Sequence, residues 1–288
     1  MDQYRETLHP GFEQVLHLDG PPRVDEHSEF QHIRIFDSKA NGRVLVLDDI
    51  LQLSDRDEAA YSEMLAHPPI VEHGAVRRVL IVGGGDGAVA EEVLKHPGVR
   101  AVDLVDIDAR VVALCREHFA HVNKGAFEDP RLSFHAEDAF AFLGAAEAGV
   151  YDLVIADRPD PVGPAESLFA QDFYARLARA MAPGGLAVFQ TGAPFFQGAE
   201  LRETHRLLAG CFTRTGVYLT VVPTYTGGFM ALTWAGKGQA LGELEPGLVQ
   251  QRAEAAGLAT DYYSPRIHLA AFALPPWISR LLSGAAGV

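Results

Sequence analysis

Val79-Leu80-Ile81-Val82-Gly83-Gly84-Gly85-Asp86-Gly87-Ala88 is a short apolar run that stops abruptly in glycine. Four successive aliphatic residues suit a strand buried on both faces, and Ala88 to Lys95 after it has helical character. Glycines between a strand and a helix let the backbone turn sharply and approach a ligand, while the helix N-terminus offers unpaired N–H groups. Outward from this stretch the alternation continues. Ala101–Ile107, Leu132–His135, Tyr151–Ala156 and Leu186–Gln190 read as strands, and Ala109–Ala120 and Phe169–Met181 as helices, the latter ended by Pro183-Gly184-Gly185. Strands alternating with helices imply an α/β fold with a parallel, doubly wound sheet.

Before this region the period changes. Phe30–Phe36 alternates apolar and polar residues, Asn41-Gly42 suits a tight hairpin, and Arg43–Leu53 gives short strands broken at Asp48-Asp49. The expected organisation is a small N-terminal β-domain over residues 1–60 and a catalytic domain over 61–288, with a helix opening near Asp57–His67. Near the C-terminus, helices are expected around 198–210 and 246–256 and strands around 216–221 and 229–235.

The chain has 288 residues, 48% of them hydrophobic, enough to bury a sizeable core and too many for a disordered chain. No window approaches a membrane span, and no secretory signal is visible. With two widely spaced cysteines, Cys115 and Cys211, these features point to a cytoplasmic, reducing setting. A net charge of −14 disfavours a nucleic-acid partner and suits cationic ligands. His118 and His121 lack companions at metal-site spacing, so no metal is expected.

The glycine loop fits two ligand classes, dinucleotides and S-adenosylmethionine-type nucleosides. Asp86 decides between them, because an acid there repels a pyrophosphate and attracts a sulfonium nucleoside bearing an amine. Asp106, twenty residues further on, can accept from ribose hydroxyls, and Glu137-Asp138 ends the third strand where an adenine would lie. After the fourth strand comes Asp157-Arg158-Pro159-Asp160-Pro161, two carboxylates placed to bind one ammonium and deprotonate another.

ETLH at Glu6–His9, GRVLVLD at Gly42–Asp48, RDEAAYSEM at Arg56–Met64, VLIVGGGDGA at Val79–Ala88, DPVGPAESLF at Asp160–Phe169, VPTYTGGFMALTWA at Val222–Ala235 and YYSPRIHLAAFALP at Tyr262–Pro275 follow one another almost end to end. In this series the chain resembles the polyamine aminopropyltransferase family, the group that contains the bacterial spermidine synthases. The resemblance implies a Rossmann-like (class I methyltransferase-like) domain behind a small N-terminal β-domain, assembled as a homodimer or homotetramer. It implies no cofactor, with decarboxylated S-adenosylmethionine as co-substrate and a diamine such as putrescine as acceptor, giving spermidine and 5'-methylthioadenosine.

By that resemblance Gln31 and Asp106 bind ribose, Glu137 and Asp138 lie at the adenine, Pro164 packs on the nucleoside, and Gly83 and Gly85 shape the loop. Asp86 holds the donor ammonium, Asp157 accepts the proton, and Tyr61 stands beside the attacking nitrogen. Asp160, Gln190, Tyr225, Ser62 and Tyr4 line the acceptor groove. Departures cluster at the acceptor side: Arg158-Pro159 replaces the family's usual residues between the two acids, Ser62 a usual His or Gln, Tyr4 a frequent Trp, and Asp106 a usual Glu. Arg158 is expected to point to solvent. Pointing inward, it would favour an acceptor bearing a carboxylate. The other readings are a weakly active paralogue that binds nucleoside or polyamine for regulation, a small-molecule methyltransferase on the same fold, and, last, a dinucleotide dehydrogenase.

Overall fold

The computed structural model describes residues 3–158 and 168–284. Its strands are β1 (Gln3–Glu6), β2 (Gln14–His17), β3 (Val24–His27), β4 (His32–Ser38), β5 (Gly42–Leu47), β6 (Ile50–Ser54), β7 (Arg78–Gly83), β8 (Ala101–Asp106), β9 (Leu132–Ala136), β10 (Tyr151–Asp157), β11 (Met181–Gln190), β12 (Arg214–Val221) and β13 (Phe229–Gly236). Its helices are α1 (Glu58–His73), α2 (Ala88–Leu94), α3 (Ala109–His118), α4 (Ala120–Asn123), α5 (Ala139–Ala145), α6 (Gln171–Ala180), α7 (Pro194–Ala209), α8 (Pro246–Ala256), α9 (Pro265–Ala271) and α10 (Pro276–Ser283). Among the described residues no helix is long and apolar enough to cross a membrane.

The central sheet has seven strands in the order β12-β13-β11-β10-β7-β8-β9. It is not wholly parallel, as the alternation implied: β13 pairs antiparallel with both β11 and β12. The physical reason is the connection. A short turn joins β12 to β13 with no helix between them, and two strands so joined can only fold back as a hairpin. Val79, Leu80, Ile81 and Val82 of β7 are at most 1% exposed, as expected of a strand covered on both faces. Sheet strands β3-β4-β5-β6 form a separate antiparallel sheet whose Ile33, Ile35 and Leu45 pack on Val111, Cys115 and Phe119.

Two local departures have clear causes. Pro183-Gly184-Gly185 does not separate a helix from a strand but lies inside β11, where the pairing jumps from Tyr151↔Met181 to Leu153↔Leu186. Helix α1 runs on through Pro68-Pro69 to His73 instead of ending near His67. Pro68 has no N–H for the carbonyl of Met64, four residues earlier, and the buried Tyr218 hydroxyl supplies one instead at 2.7 Å. Tyr218→Phe is therefore expected to leave that carbonyl unpaired and to lower stability by about 1–3 kcal/mol in denaturant melts, with the fold retained.

Candidate active site

The C-terminal ends of β7, β8, β9, β10 and β11 converge on one crevice of about 290 Å³, closed on the far side by residues of the N-terminal sheets. At the end of β7, Gly83 has φ +79°, and a Cβ there would stand 2.0 Å from the carbonyl oxygen of Asp157 on β10. A Cβ on Gly85 would meet Asp106 Oδ2 at 2.7 Å. The glycines thus let the loop lie directly against the two strands that carry acids. Asp86 accepts from the Ala88 N–H at 2.8 Å, which holds its carboxylate at the start of α2.

Asp106 ends β8 and accepts from Gly85 N at 3.1 Å and Asp108 N at 2.9 Å. Each oxygen keeps a second acceptor site for a hydroxyl. Asp108 in turn caps α3 and receives Ser28 Oγ at 2.6 Å and Gln31 Nε2 at 2.8 Å, so Gln31 is pinned to the wall beside Asp106. Asp138 caps α5 by accepting from Ala141 N at 2.8 Å, a seven-residue helix absent from the expectations.

At the end of β10 the Tyr61 hydroxyl donates to Asp157 Oδ1 at 2.6 Å. Tyr225 stands edge-on to Tyr61, ring centroids 5.6 Å apart, and donates to the Gln52 carbonyl. Its position follows from Thr224, whose N–H reaches Asp57 Oδ2 at 2.6 Å and whose hydroxyl contacts Ser54 at 3.1 Å. Gln190 borders the same space.

Not every expected residue is there. Glu137 is half-exposed, with its nearest basic group at His135, and does not border the crevice. As the next-to-last residue before α5 it leaves the strand on the opposite side from Asp138. Tyr4 is buried in the N-terminal core against Phe36, donates to the Asp49 carbonyl at 2.8 Å, and meets the site through Glu6, 3.5 Å from its hydroxyl, and through the cluster on which Tyr225 packs. Ser62 faces a smaller adjoining cavity and bonds Glu58. Asp160 and Pro164 lie outside the described residues.

Arg158 corrects an expectation. It is 2% exposed: its guanidinium lies 3.6 Å from the Phe169 ring centre, donates to the Leu168 carbonyl, and buries Nε and Nη2 away from solvent. It does not point to solvent: Arg158 borders the crevice, and its guanidinium lies against the rings of Phe169, Tyr174 and Phe189. Glu6, which borders the crevice and accepts from Leu51 N at 2.8 Å, was not singled out from the sequence. Its signal was its place in the ETLH motif at Glu6–His9.

The described lining holds six carboxylates: Glu6, Asp48, Asp86, Asp106, Asp138 and Asp157. Burial raises Asp106 to about 6, and burial plus mutual repulsion hold Asp86 and Asp157 above the usual carboxylate range. Since the unfolded carboxylates ionise near 3.9, the folded protein binds extra protons between that value and the raised ones. Stability from these groups therefore falls as pH rises through that window. A cationic ligand reverses the shift by favouring the ionised forms. Calorimetry near pH 6 in buffers of different ionisation enthalpy is expected to show proton release when a sulfonium ligand binds; proton uptake would contradict this.

The Spermine/spermidine synthase domain family matches residues 58–243, and the Spermidine synthase tetramerisation domain family matches 24–55. A polyamine aminopropyltransferase of Salmonella schwarzengrund (strain CVM19633) is 41% identical over 280 residues, 97% of each chain. One from Ruegeria sp. (strain TM1040) is 43% identical over 276 residues, 96% of each chain. Among solved structures, a spermidine synthase in complex with the transition state analogue AdoDATO superposes with a TM-score of 0.91 at 29% identity, covering 98% of this chain and 94% of that one. Spermidine synthase from Thermotoga maritima gives 0.89 at 29% identity with the same coverage.

Proposed function

This chain belongs to the spermine/spermidine synthase family and is an aminopropyltransferase, and from that premise we propose that it moves the aminopropyl group of decarboxylated S-adenosylmethionine to a diamine of the putrescine class. The products are spermidine and 5'-methylthioadenosine. One observation carries the reading: Tyr61 and Asp157 paired at 2.6 Å within a crevice whose described lining carries six carboxylates.

An ammonium cannot attack carbon, because its lone pair holds a proton, and alkylamines titrate near the lysine value of about 10.4. In the proposed step Asp157 takes one proton from the acceptor's attacking nitrogen. The freed pair forms the C–N bond, the C–S bond breaks, and its electrons neutralise the sulfonium as a thioether. Tyr61, donating to Asp157 Oδ1, aims the other carboxylate oxygen at the incoming amine. Asp86 pairs with the donor's ammonium; Asp106 and Gln31 take the ribose and Asp138 the adenine amine. Gln190 and Tyr225 line the acceptor's path, with Asp160 added by its place in the family motif. The leaving group is already good, so in-line positioning supplies much of the rate.

The caged Arg158 favours a plain diamine over a carboxylate-bearing acceptor, since its guanidinium is committed to Leu168 and the surrounding rings. On the same reading residues 1–60 form the smaller domain and 61–288 the catalytic one. The match at 24–55 supports assembly as a homo-oligomer, a dimer or tetramer. Incubating the enzyme with donor and a mixture of diamines, then identifying products by mass spectrometry, is expected to give methylthioadenosine and predominantly spermidine. Donor left intact in the presence of every amine would refute the proposal.

A further inference from the structure

Beside the main crevice the first turn of α1 and the start of α2 close a second cavity of about 10 Å³, bordered by Glu58, Tyr61, Ser62, Asp86, Ala88 and Asp157 among others. That is about the room one water-sized group needs, enough for an ammonium head and too little for a ring. Ser62, with no exposed surface, spends its hydroxyl inside the helix, reaching Glu58 Oε2 at 2.8 Å and the Glu58 carbonyl at 3.0 Å. It therefore acts on substrate only through Glu58. Burial, with Glu92 and Asp86 nearby, raises Glu58 to about 7, and Lys124, the cation that offsets this, is paired at 3.7 Å with Glu91.

We propose that Glu58 is a further specificity-determining residue: held by Ser62, its carboxylate joins Asp86 in framing the niche that takes the ammonium end of the donor's aminopropyl group. This rests on the aminopropyl-transfer reading above. The donor's ammonium is assigned to the niche because Asp86, its partner on the proposed reading, forms the wall with Ala88 and Val89; Tyr61, Asp157 and Tyr225 border the same niche, which places it where donor and acceptor meet. An acid in the first turn of a helix also stabilises that helix, and a role limited to this would leave ligand discrimination untouched.

The test uses the full-length enzyme as wild type, Glu58→Gln, Glu58→Asp and Ser62→Ala. It measures KM for donor and for amine, and the Kd of methylthioadenosine, the same nucleoside without an ammonium. Glu58→Gln is expected to raise the donor KM roughly tenfold to a hundredfold, the range of one charge-assisted contact. The amine KM and the methylthioadenosine Kd should stay near wild type, Ser62→Ala should move the donor KM the same way by less, and Glu58→Asp should recover part of the loss. An unchanged donor KM in Glu58→Gln, or an equal loss for donor and methylthioadenosine, would overturn the inference. A wild-type enzyme that releases no methylthioadenosine would instead overturn the functional reading, so the two failures are separable.

Discussion

Asp157→Asn is expected to lower kcat by about 10²–10⁴-fold, the usual contribution of a general base, while the Kd of methylthioadenosine stays close to wild type. The substitution keeps the shape of the side chain and the possibility of a hydrogen bond with Tyr61, which in the native enzyme reaches Oδ1 at 2.6 Å. It removes the charge and the basic lone pair. Asparagine cannot take a proton from an ammonium, so the attacking nitrogen stays blocked at neutral pH. On the proposed reading nucleoside affinity rests on Asp106, Gln31 and Asp138, which neighbouring backbone and side-chain groups hold independently of Asp157. The raised pKa of Asp157 adds a pH signature: the acid limb of kcat/KM should lie above the ordinary carboxylate range. Comparable loss of methylthioadenosine binding would show that Asp157 serves the nucleoside instead of the proton.

The second large effect is structural. Gly83→Ala places a methyl group 2.0 Å from the Asp157 carbonyl oxygen, at a residue with φ +79°. Backbone cannot yield as a flexible side chain can, because Gly83 and Asp157 are paired in the sheet. Relief requires β7 and β10 to part at the point where both carry the site. A loss of about 4 kcal/mol or more is expected, at the extreme of single substitutions, lowering Tm by about 10 °C or preventing folding. Gly149→Ala is the control: its φ is +74°, and nothing lies within 4 Å of the added carbon. That variant should lose only the about 1–2 kcal/mol of a left-handed alanine. Equal melting temperatures for the two would mean that the close approach of loop and strand does not matter.

These effects separate what the sequence discloses from what it conceals. Asp86, Asp106, Asp138 and Asp157 were legible because parallel strands deliver their C-terminal ends to one edge, where these acids border the crevice. Tyr61 follows from its place in a matching motif. Facts that depend on packing were hidden. Arg158 reads as a surface cation, and only the stack of Phe169, Tyr174 and Phe189 makes a buried guanidinium tolerable. Tyr4 reads as a pocket residue, yet the Asp49 carbonyl draws its hydroxyl into the N-terminal core. Prolines 68 and 69 read as a helix end, and the rescue comes from Tyr218, 154 residues from Met64. Glu6 lay in a quoted motif without a role, since its contact with Leu51 N joins residues 45 apart.

The central claim is that fixed carboxylates select a sulfonium nucleoside by its amine. Titration of the enzyme, by calorimetry, with decarboxylated S-adenosylmethionine and with intact S-adenosylmethionine tests it most directly, because the two differ by one carboxylate next to that amine. The decarboxylated compound should bind tighter by about a hundredfold or more, near 2.7 kcal/mol, and Asp86→Asn should shrink the gap. Equal affinities, or a preference for the carboxylated form, would contradict it.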